Sequence, residues 1–147
     1  MDKEQHIEVD RFYHGLRYIV RFRSQGFRCG YIQVPSSDVV EWRYINDHNI
    51  DDAFFDCHGG VTFSGEFKGK KEDFLPVGNW IGFDCIHAKD GYDHLSVKRY
   101  FGKNLDSSFF NGEAQHVWSS EEVEAECKNL IDQYNEFRYK FRRDFSD

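Results

Sequence analysis

The alternation of hydrophobic and polar residues predicts strands in the first third of the chain. From Arg17 onward, the sequence RYIVRFR-SQG-FRCGYIQVP alternates on both sides of Gln25-Gly26, which predicts a β-hairpin that bends at these two residues. Side chains two positions apart point to the same face of a strand. The two faces of the first strand are Tyr18, Val20 and Phe22 on one side, and Arg17, Ile19, Arg21 and Arg23 on the other. Since the second set is mostly basic, we expect its face to be exposed to solvent.

Short aromatic runs predict further strands in the middle of the chain. Two short strands, joined by His58-Gly59-Gly60, are predicted over residues 53–57 and 61–67. The most apolar strand is predicted over residues 80–86. The polar residues 68–78 between them predict an exposed loop. Residues 89–118 show little periodicity, apart from a turn of helix near residues 95–100. An irregular segment of this length in a compact domain is typical of a lid or a binding loop.

Two helices are indicated, one short and one long. Ser36-Ser37-Asp38 can cap a helix over residues 39–45, although a loop is equally consistent with the polar residues that follow. Near the end of the chain, Ser119 or Ser120 begins a helix whose apolar residues recur at spacings of three and four. These residues are Val123, Cys127, Leu130, Tyr134, Phe137 and Phe141. We expect this stripe to pack on the chain's own sheet; a partner helix, as in a homodimer, is the alternative.

Length and composition narrow the class of protein. A chain of 147 residues has the usual size of one domain, and an aromatic content of 18% favours sheet. We therefore predict a single α+β domain over residues 1–147, with a mostly antiparallel sheet and the long C-terminal helix packed on one face. The four singly spaced cysteines indicate buried thiols in a reducing compartment. With no apolar run that could cross a bilayer and no signal-peptide pattern, we expect a cytoplasmic protein that does not bind a membrane.

The charge of the chain bears on its partners. A net charge of −7 argues against a nucleic-acid backbone as a direct partner, because phosphate binding is driven by Lys and Arg. It leaves open an acidic surface that docks onto a basic protein.

The residues that can carry chemistry are concentrated between Asp56 and Asp90. Glycines inside or beside strands need a reason, such as a positive φ or the close approach of a ligand to the backbone. A tight hairpin with a bulge accounts for them equally well. The residues that we predict to bind a ligand are His58, Gly59, Gly60, Thr62, Ser64, Gly65, Asp84, His87 and Asp90.

Two similar segments, Asp56-Cys57-His58 and Asp84-Cys85-x-His87, suggest a metal or acid/base site. Strand geometry divides their side chains into two sets, Asp56, His58 and Asp84 on one face and Cys57, Cys85 and His87 on the other. The first set resembles a site for a hard or borderline divalent ion, and the second a structural zinc site that lacks one ligand. Since histidines in such positions more often form hydrogen bonds, we predict no bound metal. No cofactor is indicated.

Catalysis is the alternative to ligand binding at this site. His58, Asp84 and His87 are the candidate catalytic residues, as acid/base groups. A nucleophile among Ser64, Thr62 and Cys57 is less favoured, because no strained elbow motif surrounds the serine and no basic residue flanks the cysteine. A ring-stacking pocket can be lined by Trp42, Trp80 and Trp118, but tryptophan is also ordinary core material, and for Trp80 we favour the core.

A motif at these residues resembles a group of small phage and prophage proteins. Their pattern is HGG-Val/Leu-Thr-aromatic-Ser-Gly, then Trp-x-Gly-Phe-Asp-Cys-x-His and a nearby Asp. The residues of this chain that match the pattern are 58–65, Trp80, 82–85, His87 and Asp90. The resemblance implies a phage protein in the cytoplasm of a bacterial host and carries no established activity. We therefore favour an inhibitor of host defence, of the anti-CRISPR or anti-signalling kind, that covers a basic protein surface or holds a small nucleotide-like ligand. The alternative is a small hydrolase, with or without a metal.

Overall fold

A five-stranded antiparallel sheet forms the centre of the molecule. The computed structural model describes residues 5–48, 55–109, 111–112 and 115–145. The strands are β1 (Gln5–Tyr13), β2 (Leu16–Arg23), β3 (Arg28–Val34), β4 (Phe63–Phe67) and β5 (Gly78–Asp84). They lie in the order β1-β2-β3-β5-β4, and every neighbouring pair is antiparallel. The predicted α+β class with a mostly antiparallel sheet is confirmed.

The predicted hairpin is formed by β2 and β3. Its bend is closed by the amide of Gly26, which donates to the carbonyl of Arg23 at 2.8 Å, and Gly26 has a φ of +101°. β1 precedes this hairpin and pairs with β2 through a turn at His14-Gly15. The polar alternation of β1 did not predict a strand; most of its residues remain exposed or half-exposed at the edge of the sheet.

Three α-helices accompany the sheet, α1 (Val39–Asp47), α2 (His94–Phe101) and α3 (Ser120–Phe145). The short helix after Asp38 and the helical turn near residues 95–100 are thus present as α1 and α2. Ser119 caps α3: its hydroxyl accepts from the amide of Glu122 at 3.1 Å, and the Glu122 carboxylate accepts from the amide of Ser119 at 3.0 Å. None of the described helices is long and apolar enough to cross a membrane.

The predicted stripe of α3 packs on one face of the sheet. Val123, Cys127, Leu130 and Tyr134 are fully buried there, in one core with Tyr18, Val20 and other residues of β2, β3 and β5. The packing of the long C-terminal helix on one face is therefore confirmed. The four cysteines are buried, as the sequence predicts.

The second face of the sheet is also buried, so the prediction that its basic side chains face solvent was wrong. Ile19 and Trp80 lie in a second core with Cys29, Tyr31 and Leu75, and Phe74 packs against it. Arg21 is only 5% exposed. The cover comes from the segment between β4 and β5, in which Leu75 is buried, so that segment is not the wholly exposed loop that its polar residues predicted.

The strand predicted over residues 53–57 is not present in its described part. Residues 53–54 lie outside the described residues, and residues 55–57 form no strand. Instead, the backbone of Asp56 is bound by α3: its amide donates to the Gln133 side chain at 2.7 Å, and its carbonyl accepts from Gln133 at 2.7 Å and Asn129 at 3.2 Å. The segment before the glycines therefore runs along α3 rather than along the sheet, and β4 begins at Phe63 instead of Val61.

Candidate metal centre

The turn at His58-Gly59-Gly60 brings the first histidine to the end of the sheet. Gly59 and Gly60 have φ values of +69° and +79°, a conformation that glycine adopts without strain. The amide of Gly60 donates to the carbonyl of Cys57 at 2.8 Å and closes the turn. The amide of His58 donates to the Glu126 carboxylate of α3 at 3.1 Å. The position of His58 is therefore set by both the turn and the helix.

A second turn, after β5, positions His87 and Asp90. The amide of Asp90 donates to the carbonyl of His87 at 2.8 Å, and the amide of His87 donates back to Oδ2 of Asp90 at 2.9 Å. Asp90 also pairs with His116 in an isolated parallel bridge, which ties this turn to the segment before α3. The Asp90 side chain is 3% exposed. A carboxylate so deeply buried needs partners for its charge, and two are present here.

The side chains of His58, His87 and Asp90 converge. His58 Nε2 lies 2.8 Å from Oδ2 and 3.0 Å from Oδ1 of Asp90. The two imidazole rings are nearly perpendicular, at 84°, with their centroids 5.3 Å apart. One ligand atom from each of the three residues lies within 4.8 Å of the other two, the one such group found among the described residues. We call these three residues the His/His/Asp cluster.

The environment of His87 determines its tautomer. Its Nε2 lies 3.1 Å from the carbonyl oxygen of Asp84 and 3.2 Å from Oδ1 of the same residue. Both are acceptors, so Nε2 carries the proton and Nδ1 of the neutral ring keeps a lone pair. The neighbouring Gly59 leaves room for this arrangement, because a Cβ at that position would lie 2.0 Å from His87 Nε2. The group that lies close to the Gly59 backbone is therefore the side chain of His87 and not a ligand, as the sequence analysis had considered.

Trp118 packs against the cluster, and the Asp90 charge acts on the thiol of Cys85. The Trp118 ring packs on His58 with centroids 4.2 Å apart, and its carbonyl accepts from Arg28 at 2.9 Å. Burial and the nearby Asp90 carboxylate raise the pKa of the Cys85 thiol far above its usual value. Cys85 is thus a neutral core thiol and not a nucleophile.

The predicted site residues are only partly brought together. His58, His87 and Asp90 form the cluster, Asp84 contacts His87, and Thr62 Oγ1 lies 3.4 Å from Asp84 Oδ2. Gly59 and Gly60 form the turn described above. Ser64 and Gly65 lie in β4 opposite Ile81 and Trp80, three and four register positions from Asp84 along β5.

Neither predicted metal set is the one that forms. Of Asp56, His58 and Asp84, only His58 belongs to the cluster, and the Asp56 side chain is exposed beside α3. Of Cys57, Cys85 and His87, the two thiols are buried in the core under α3 and only His87 joins the cluster. The strand-face argument failed because His58 and His87 both lie in turns, where alternation does not apply.

Two residues support His58: Trp118, which was considered only as a pocket-lining ring, and Glu126, which was not predicted as a site residue. They belong to the irregular segment before α3 and to α3 itself, and no local motif in the sequence connects either of them with residues 58–90.

Two imidazoles and one carboxylate form a ligand set typical of zinc and neighbouring transition metals. Two ligand atoms that are each about 2.0–2.2 Å from a tetrahedral zinc lie about 3.4 Å apart. The separation between His58 Nε2 and Asp90 is a few tenths of an ångström shorter than this. His58 and Asp90 are therefore close enough to share an ion, and the ligand atom of His87 lies within 4.8 Å of both.

These features define an α+β domain with a partly buried cluster of two histidines and one aspartate at the end of its sheet. Comparisons of the chain with models of known protein families, with curated proteins and with solved structures find no match.

Proposed function

We propose that the protein binds a divalent ion of the zinc class through His58, His87 and Asp90 and uses it as the centre of a hydrolase. The observation that carries this proposal is the approach of the three ligand atoms to within 4.8 Å of one another. All three side chains are also held by neighbouring groups, as metal ligands usually are.

The number of ligands supports hydrolysis over a structural role. Structural zinc sites are closed by four protein ligands, whereas catalytic sites have three and leave a position for water or substrate. The described part of the chain offers three. An ion held by His58, His87 and Asp90 would supply a Lewis acid that lowers the pKa of water for hydrolysis.

The protein's own residues prepare this site. Asp90 supplies the negative charge, and its burial at 3% exposure makes an ion a favourable neighbour. Asp84 holds Nε2 of His87 through its carbonyl and its carboxylate, which makes Asp84 a positioning residue. Trp118 packs on His58 and limits the orientations of its ring.

The proposal departs from the binding protein that the sequence favours. That interpretation, an inhibitor of phage origin that covers a basic surface, stays a prediction. The hydrolase is preferred here because His58, His87 and Asp90 meet, which strand geometry alone did not allow.

Metal analysis of purified protein tests the proposal. After incubation with zinc, manganese or cobalt and removal of free ion, the protein should retain about one equivalent of one of these metals by mass spectrometry. His58→Gln and His87→Asn keep hydrogen-bonding side chains but should weaken metal binding by at least about 10–100-fold. His6→Gln is the matched control, because His6 stacks on Tyr100 and lies outside the cluster.

The outcomes separate a metal centre from a structural hydrogen bond. If the His58–Asp90 contact only joins two turns, His58→Gln lowers thermal stability while the wild-type protein retains none of the three metals, and the proposal is wrong. Retention of metal by both histidine variants contradicts it equally. If metal binds as expected, hydrolysis of generic ester and phosphodiester substrates should disappear in the same two variants and persist in His6→Gln.

A further inference from the structure

A second site lies on the other face of the sheet. A cavity of about 520 Å³ opens between β2, β3 and the segments on either side of β4. Its charged and aromatic lining includes Arg21, Arg23, Phe27, Tyr31, Phe74 and Asp84. Its volume is within the range of roughly 300–1,000 Å³ that is typical of pockets for small molecules.

Arg21 is a buried cation that forms no ion pair with any described residue. Its side chain donates from Nη1 to the hydroxyl of Tyr31 at 2.8 Å and stacks on the ring of Phe74 at 4.1 Å. Its Nε is buried and has no hydrogen-bond acceptor. Burial raises the pKa of Tyr31, so this phenol stays neutral and does not compensate the charge. A buried guanidinium without an anion is costly unless a ligand supplies one.

Other arginines of the same sheet show that the fold ordinarily pairs such charges. Arg28 is as buried as Arg21, and it binds the carboxylates of Glu8 at 2.6 Å and Asp93 at 2.9 Å. Arg17, on the same strand and face as Arg21, binds Asp10 at 2.7 Å. Within the described ranges, no carboxylate forms an ion pair with Arg21. The difference marks Arg21 as a residue whose partner is not part of the described chain.

Arg23 adds a second positive charge to the same cavity. It lies two residues further along β2, on the same face, and its Nε is likewise buried without an acceptor. It has no carboxylate partner in the part of the chain that the structure describes. The carboxylate of Asp84, which also lines the cavity, is engaged by His87 and Thr62. Among the described residues, therefore, two guanidinium groups without an ion pair line the same cavity as one engaged carboxylate.

We propose that this cavity binds a small anion that carries a planar ring, of the nucleoside phosphate class. The two arginines offer charge-assisted hydrogen bonds to phosphate oxygens, a geometry for which guanidinium groups are well suited. The aromatic residues Phe27, Phe63 and Phe74 line the same cavity and offer faces and edges for a ring.

The cavity and the His/His/Asp cluster are connected through one residue. Asp84 lines the cavity with its carboxylate and contacts His87 Nε2 with the same group at 3.2 Å. A ligand in the cavity therefore lies one side chain away from the cluster. The inference that this ligand is also the substrate rests on the proposed hydrolase function. The substrate class is then a phosphate ester.

Calorimetric titration of chelator-treated protein tests the cavity independently of the metal. The probes are adenosine 5′-monophosphate, adenosine and inorganic phosphate. The nucleotide should bind more tightly than either of its parts. Arg21→Gln and Arg23→Gln should each weaken nucleotide binding by about 10–100-fold, because each removes hydrogen bonds to a charged group. Arg17→Gln, which removes the arginine already paired with Asp10, should leave binding unchanged.

The two arginine variants keep the test valid if one of them fails to fold. Arg21 is buried, but Arg23 is half-buried, so Arg23→Gln should fold, and circular dichroism of both verifies this. The proposal is wrong if no probe binds, if adenosine alone or phosphate alone binds as tightly as the nucleotide, or if folded Arg23→Gln binds it as tightly as wild type. If the protein binds nucleotide but no metal, the cavity proposal stands and the hydrolase proposal is wrong. If it binds metal but no nucleotide, the hydrolase proposal stands and the cavity proposal is wrong.

Discussion

Gly59 is the residue on which the geometry of the His/His/Asp cluster depends most closely. Its φ of +69° disfavours any side chain, and a Cβ would lie 2.0 Å from His87 Nε2. The histidine has little freedom to yield, since Asp84 holds the same nitrogen. A methyl group at this position should therefore move His87 out of the cluster.

We predict that Gly59→Ala weakens zinc binding by about tenfold or more, since moving a ligand's support has effects of that size. The φ alone should cost about 1–2 kcal/mol of folding free energy, and the clash adds to it. Gly102→Ala is the matched control, because Gly102 has a φ of +65° and nothing within 4 Å of its ideal Cβ. Zinc titration and denaturant unfolding of both variants measure the two effects separately.

Equal unfolding free energies for the two variants, together with unchanged zinc affinity, would mean that the contact between Gly59 and His87 has no role. In that case Gly59 serves the turn alone, which was the alternative explanation of the glycines at the level of the sequence.

At the scale of elements, α3 both completes the core and supports the site. Its buried residues fill the space over β2 and β3, and its Glu126 side chain holds the amide of His58. A helix that served as a docking surface for a partner would instead leave its apolar stripe exposed.

Leu130→Ala should therefore lower the free energy of unfolding by about 2–4 kcal/mol, because the side chain is fully buried and its loss leaves a cavity. Tyr139→Ala changes an aromatic residue of the same helix that is 69% exposed, and it should cost less than about 0.5 kcal/mol. Urea denaturation of the two variants measures both values. A cost below about 0.5 kcal/mol for Leu130→Ala with the helix intact by circular dichroism would assign the stripe to a partner.

At the scale of the whole molecule, several ion pairs join distant parts of the chain and make stability depend on pH. A hydrogen bond from Arg17 lowers the pKa of Asp10. Burial alone would raise the pKa of Asp93, but hydrogen bonds from Ser96 and Arg28 lower it below its usual value. A carboxyl group with a lowered pKa stabilises the fold above its unfolded pKa, and this contribution is lost as pH falls through the folded pKa.

We predict that the free energy of unfolding falls as pH is lowered from about 5 to 3, the range in which free aspartates gain protons. Asp93→Asn removes one of the groups responsible, so its stability should change less steeply over this range. Urea denaturation at a series of pH values measures the two slopes. An identical slope for wild type and Asp93→Asn would show that Asp93 does not contribute.

Local signals in the sequence were sufficient for much of the fold. The hairpin at Gln25-Gly26 and the cap of α3 at Ser119 depend on residues close together in the chain, and both are confirmed. β1 was not predicted, because an edge strand needs no continuous apolar face and its polar residues obscure the alternation.

The candidate site was predicted as a region but not as an arrangement. Residues 56–90 do contain His58, His87 and Asp90, yet the expected ligand sets assumed regular strands where the chain turns. The positions of these three side chains depend on Glu126 in α3 and on His116, which pairs with Asp90. Such contacts join residues far apart in the chain, and no pattern of neighbouring residues encodes them.

By itself, the sequence determined the α+β class, the central hairpin and the apolar stripe of the last helix, because each follows from periodicity and turn residues within a short segment. The tertiary structure alone decided which histidines and carboxylates meet, and that the basic face of β2 is covered. Alternation assigns Arg21 to a face but does not say what lies over that face. Phe74 and Leu75 supply that cover from more than 50 positions further along the chain. The burial of an unpaired charge is therefore a property of the fold and not of any local pattern.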